Sequence, residues 1–191
     1  MEAPQSRAPR AVLFDAYGTL FDVYSVGVVA ERLFPGMGER LGILWRDKQI
    51  EYTRLTSMSG QARSFRDCTR AGLRYAARRF QLALDGAAEV ELMGAYERLS
   101  PFAENLAVLV ELRRRDVRAG VLSNGDPDML EAVVRHAGFA ELLDPVLSVE
   151  GTGRFKTDPA TYALGTHALG LGAGEVLFVS SNCWEIGRAH V

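Results

Sequence analysis

VLFDAYGTLFD, residues 12–22, is the stretch on which the fold turns. Val12, Leu13 and Phe14 run without a polar break into Asp15, the pattern of a short strand covered on both faces. Ala16 to Thr19 then carry no helical spacing, and Gly18 marks a tight turn. A carboxylate ending a doubly covered strand implies a parallel sheet, in which ligands bind beyond the strand ends.

Outward from this stretch the pattern divides. Residues 1–9 are polar with two prolines and read as a disordered arm. From Ser25 to Ser100 the apolar spacing is helical: four segments, 25–34, 39–58, 64–82 and 87–99, are separated by PGMG, SGQA and LDG. After residue 100, helices at 103–115, 126–138 and 158–170 alternate with strands at 118–124, 145–149 and 175–182. Helices between apolar strands imply right-handed crossovers and a doubly wound α/β sheet. The reading is an α/β core of residues 10–24 and 101–191, with a helical cap inserted over residues 25–100.

The chain has 191 residues, 48% of them hydrophobic, and a formal charge of −2, enough for one substantial core. The balance lacks the basic surface that sequence-independent nucleic-acid binding needs, so a small molecule is the expected partner. No apolar run has the length of a membrane span and the start has no apolar leader core, so a cytoplasmic location is expected. Cys68 and Cys183 have no spacing of a disulfide framework or zinc site and read as ordinary half-buried thiols.

Polar residues gather where strands end: Asp15, then Ser123 and Asn124, then Ser180, Ser181 and Asn182, with Lys156 in the loop after residues 145–149. Asp126, Asp128 and Asp158 flank prolines and read as helix caps. Taken singly, a strand-end polar residue is more often structural than catalytic. Four loops converging on one crevice reverse that balance. Of 22 basic residues only Lys48 and Lys156 are lysines, which singles out both.

FDAYGTLFD, LSNG, FKTDP and LFVSSN, in this order with a helical insertion after the first, resemble the haloacid dehalogenase superfamily. DAYGTLFDVYSV, LWRDKQIEYTRL, LSNGDPDML and VLFVSSNCW are similar, more narrowly, to the L-2-haloacid dehalogenases. The resemblance covers Arg10 to Trp184. It implies hydrolysis of a short (S)-2-haloacid to an (R)-2-hydroxy acid by a homodimeric enzyme without metal or other cofactor.

Superfamily phosphatases carry a second aspartate two residues after the nucleophile, to protonate a leaving alcohol beside magnesium. Tyr17 stands there. Halide leaves as a stable anion and needs no proton, so a phenol can shape an apolar pocket instead. By resemblance, Asp15 is the nucleophile that forms an ester, Thr19 orients it, and Lys156 keeps it ionised. Arg46 reaches the departing halide, and Ser123 holds the substrate carboxylate. Asn124 and Trp184 line the halide pocket, Tyr162, Ser180 and Asn182 complete the polar network, and Phe65 or Trp45 is the aromatic of the cap. Lys48 and the arginines at 113–115 read as solvated surface charge.

Two departures stand out. Asp47 occupies the position after Arg46 where the family commonly has glutamine; it can pair with Arg46 or point to solvent. The resemblance also implies an aspartate after the tryptophan and further strand and helix units, whereas the chain reads EIGRAHV. That heptapeptide corresponds to a common sequencing-library adapter, so Glu185–Val191 is expected not to be natural sequence and the chain to be truncated. Two other readings follow: a magnesium-dependent phosphatase, and an inactive fragment.

Overall fold

The computed structural model describes residues 8–61 and 63–186. Its centre is a four-stranded parallel sheet of β1 (Ala11–Phe14), β4 (Arg118–Ser123), β5 (Val146–Ser148) and β6 (Val176–Val179), in the order β5-β4-β1-β6. All four residues of β1 are buried, as its unbroken apolar run requires. The chain builds outward from β1 through β4 to β5, then returns to pair β6 on the other side of β1. The order therefore reverses at β1, and a crevice opens beyond its carboxyl end, where Asp15 stands.

Helices α5 (Asn105–Arg114), α6 (Pro127–His136) and α7 (Pro159–Leu169) supply the crossovers, and the short α8 (Cys183–Ile186) follows β6. The doubly wound sheet read from the sequence is thus present. A two-stranded antiparallel ribbon, β2 (Phe21–Asp22) with β3 (Ser100–Pro101), did not register in the sequence pattern because each strand is only two residues long.

Between the ribbon's strands lie α1 (Gly27–Leu33), α2 (Gly38–Ser59), α3 (Phe65–Arg79) and α4 (Gly86–Ala95), the four helices their spacing predicts. α2 and α3 form the spine of this insert. Gly72 of α3 lets their backbones meet, since a Cβ there would lie 3.1 Å from the Trp45 carbonyl oxygen and the Gln49 nitrogen. Trp45 is fully buried in this seam, donates its indole N–H to the Thr69 carbonyl at 2.7 Å, and packs on Tyr96. Apolar packing is continuous from β1 through Tyr17, Phe65 and Tyr96 into the insert.

Three readings change in three dimensions. Cys68 is buried and Cys183 exposed, so neither is half-buried. Asp126 occupies the capping position of α6 yet makes no cap bond there; its carboxylate accepts the backbone N–H groups of Phe65 at 2.8 Å and Arg66 at 3.0 Å. Asp128 pairs with Arg66, while Asp158 caps α7 through the Ala160 N–H. Residues 1–7 of the arm and 187–191, including His190, lie outside the described residues.

Candidate active site

β1 and the turn after it deliver the first group. Asp15 is 5% exposed, and its backbone N–H donates to the Val179 carbonyl at 2.9 Å, fastening the end of β1 to β6. Gly18 then takes a φ of +97°, a conformation that a Cβ would strain. This turn brings the Thr19 hydroxyl to 3.2 Å from Asp15 Oδ2. Ser181 braces the same turn by donating its hydroxyl to the Gly18 carbonyl and its backbone N–H to Thr19 Oγ1.

Lys156 supplies the cation. Its ammonium donates to Asp15 Oδ1 at 2.7 Å and to the Leu122 carbonyl at 2.9 Å, and lies 3.1 Å from Glu185 Oε1. The Lys156 N–H donates to Asn124 Oδ1 at 2.8 Å, so Asn124 also fixes the loop that carries the lysine. On the other carboxylate oxygen, Asn182 Nδ2 donates to Asp15 Oδ2 at 3.0 Å. A carboxylate with a bonded donor on each oxygen is held in place while its remaining lone pairs stay available.

The insert provides the roof. Arg46 on α2 is 8% exposed and donates to the Tyr17 carbonyl at 2.8 Å and to Gln49 Oε1 at 2.6 Å. Neither acceptor is charged, so its cation is not neutralised by them. Asp47, the next residue of α2, is exposed, and no ion pair joins it to Arg46 among the described residues. Phe65, the first residue of α3, stacks on Tyr17 with ring centroids 4.9 Å apart.

Tyr17 is 2% exposed, and burial pushes its phenol pKa up, beyond useful acidity. Its hydroxyl finds no hydrogen-bond partner among the described residues.

Asp15, Tyr17, Arg46, Phe65, Ser123, Asn124, Lys156, Asn182 and Trp184 line one small cavity of about 40 Å³. Ser123 is fully buried and its hydroxyl accepts the Gly125 N–H at 3.2 Å. Ser180 and Tyr162 stand outside the lining. The Ser180 hydroxyl accepts the Asn182 N–H at 3.0 Å, and Tyr162 packs edge-on against Phe178, over whose ring the Lys156 ammonium lies. Lys48 pairs with Glu51 on the surface of α2.

The same cavity is lined by residues that sequence reasoning passed over: Gln49, Ile50, Thr53 and Arg54 of α2, and Glu185 of α8. The α2 set follows Arg46 at helical intervals and was accessible from spacing alone. Glu185 is 3% exposed, and desolvation, with the nearby Asp15 charge, pushes its pKa up against the opposing pull of Lys156. Among the described residues no three of the His, Cys, Asp and Glu side chains cluster as metal ligands.

A haloacid dehalogenase-like hydrolase family profile matches residues 9–189. The chain is 43% identical over 181 residues to an (S)-2-haloacid dehalogenase of Pseudomonas sp. (strain YL), spanning 95% of this chain and 78% of that one. A second (S)-2-haloacid dehalogenase, from Xanthobacter autotrophicus, is 43% identical over 94% of this chain and 70% of its own length.

Among solved structures, an L-2-haloacid dehalogenase superposes with a TM-score of 0.91 at 51% identity, covering 96% of this chain and 83% of that one. The L-2-haloacid dehalogenase of Xanthobacter autotrophicus with chloropropionic acid covalently bound gives 0.90 at 42% identity, over 95% and 74%. With identity of this extent along nearly all of its length, the chain belongs to the haloacid dehalogenase-like hydrolase family, among the (S)-2-haloacid dehalogenases.

Proposed function

We propose that the protein hydrolyses short (S)-2-haloalkanoic acids to (R)-2-hydroxy acids and halide. The observation that carries this is a buried, fully oriented aspartate facing a cavity under an uncompensated arginine, with a phenol at the position where a proton donor would be required for phosphate esters. Asp15 attacks C2 in line; the C–halogen bond breaks, halide departs with the electron pair, and C2 inverts as an ester forms on Asp15. Arg46 meets the negative charge growing on the halogen, in a site fixed before reaction. Ser123 and the neighbouring backbone hold the substrate carboxylate, and Tyr17, Phe65 and Trp184 enclose its apolar end.

Water then adds to the ester carbonyl carbon, giving up a proton, and the hydroxy acid leaves as Asp15 is regenerated. Glu185 is the carboxylate placed to take that proton, with Lys156 and Ser180 as its partners. Thr19 and Asn182 keep Asp15 aligned through both steps, and Tyr162 backs the Phe178 ring beneath Lys156.

The same reading treats residues 25–100 as a cap over a core of 10–24 and 101–191, places the enzyme in the cytoplasm, and makes it a homodimer, which sedimentation of the purified chain tests. No helix among the described residues is long and apolar enough to cross a membrane.

Replacing Asp15 by Asn is expected to lower chloride release from (S)-2-chloropropionate by at least ~10³-fold. Multiple turnovers in H₂¹⁸O should place label in Asp15, read by mass spectrometry; an unlabelled Asp15 after many cycles would overturn the ester. Phosphate release from a generic monoester, abolished by chelator and unaccompanied by halide release, would favour the phosphatase reading instead.

A further inference from the structure

Resting on the dehalogenase reading above, we infer that Arg54 selects substrates with a second anionic group: 2-halodicarboxylic acids, in which the reacting carbon carries a CH₂–COO⁻ arm. Arg54 lies eight positions after Arg46 on α2, and both line the cavity that holds Asp15. Eight residues span just over two helical turns, or ~12 Å of axis, so the two guanidiniums rise from one face of α2 at two depths. Arg46 is the buried one. Arg54 is exposed, and its guanidinium lies over the Trp184 ring at 4.4 Å from the centroid.

That stacking fixes the plane of the Arg54 guanidinium without using up its N–H groups, because the aromatic face engages the cation and leaves the edge donors outward. No carboxylate or other acceptor among the described residues takes those donors. Elsewhere on the insert Arg32, Arg66, Arg70 and Arg74 each pair with Glu or Asp, whereas Arg54 stands at the cavity with its donors unpaired. A cation held on an aromatic ring at a cavity rim, with its forked donors free, matches a planar carboxylate.

Such a carboxylate has a defined place on the substrate. C2 must face Asp15, and the C1 carboxylate is taken by Ser123 and the backbone beside it. The remaining substituent is the one that can extend along α2 towards the rim formed by Trp184 and Arg54. A CH₂–COO⁻ arm reaches out of the apolar enclosure and ends in two oxygens for the two edge donors of Arg54. An isosteric CH₂–CH(CH₃)₂ arm fills the same space and offers them nothing.

The test compares (S)-2-chlorobutanedioate with (S)-2-chloro-4-methylpentanoate, which have arms of equal size and different charge. Chloride release is measured for the wild-type protein, Arg54→Met and Arg54→Lys. The ratio of kcat/KM for the diacid to that for the monoacid is expected to fall about tenfold or more in Arg54→Met, mostly through KM, and to recover in part in Arg54→Lys.

Calorimetric titration with the two corresponding (R)-2-hydroxy acids should show the same change in affinity ratio, independently of turnover. A ratio unchanged by Arg54→Met in the titration overturns the inference, as does a wild-type protein that prefers the monoacid product. Absence of chloride release from both substrates and from (S)-2-chloropropionate would overturn the dehalogenase reading, leaving the titration to decide on Arg54.

Discussion

Lys156 holds two carboxylates, both buried, at the floor of the cavity. Its side chain is 1% exposed, and the pairing with Asp15 and Glu185 uses two of its three N–H donors, the third going to the Leu122 carbonyl. Breaking a buried ion pair by removing one partner costs more than the pair contributes, because the remaining charges stay buried. Lys156→Met should therefore destabilise the protein by about 3–5 kcal/mol, read in urea unfolding, and abolish chloride release.

Glu185 titrates in the opposite sense from a salt-bridged acid. Its pKa in the fold lies above the ordinary 4.5, so protonation favours the folded state. This support is complete below 4.5 and is lost as pH rises through the raised value. The melting temperature of Glu185→Gln should accordingly gain on that of the wild type as pH rises from that point, and a gap that stays flat with pH would contradict the shift. In activity, the wild-type rate should fall on the acid side as Glu185 takes up its proton. The variant should lose that limb and accumulate the ester, detectable as added mass on Asp15.

The helices show where local pattern stops informing. α2 and α3 could be read from their spacing, and so could the four-helix run. The latch between the sheet and the insert could not be. Asp126, at the start of α6, accepts two N–H groups at the start of α3, and Arg66 reaches from α3 to Asp128 of α6 and to Glu97. The partners that join α3 to α6 are about sixty residues apart, and an Asp before a proline carries the same signal whichever helix it caps.

The bonds matter to the site because Phe65 is both the residue latched and the ring stacked on Tyr17. Asp126→Ala should cost about 1–2 kcal/mol, the range of a lost helix cap, and lower kcat more than it raises KM as the roof loosens. A variant with the expected loss of stability and an unchanged kcat would show that the latch does not shape the cavity.

Across the whole molecule, the sheet ends at β6 on one side and at β5 on the other among the described residues. β6 pairs with β1 on one side, and among the described residues no strand pairs with its other side. Leu177 in its middle is 49% exposed, and Leu106, Val108 and Val110 of α5 are also exposed. An unpaired strand with an apolar side chain is a template for association between copies. Leu177→Lys should raise the concentration at which light scattering sets in on warming, since an edge lysine resists edge-to-edge pairing. Scattering unaffected by the substitution would move the sticking surface elsewhere.

The run VLFD, the helical spacing of 25–100 and the alternation after 100 determined the doubly wound core, its insert and the position of Asp15, because burial and hydrogen-bond periodicity are local properties of a chain. Asp15, Lys156, Ser123 and Asn182 could be picked out because strand ends in a parallel sheet converge by geometry. That Glu185 meets Lys156, that Asp126 serves α3 and that Arg54 lies on Trp184 were decided by tertiary packing. Each depends on the distance between side chains far apart in the chain, and that distance is set by how whole helices seat on the sheet.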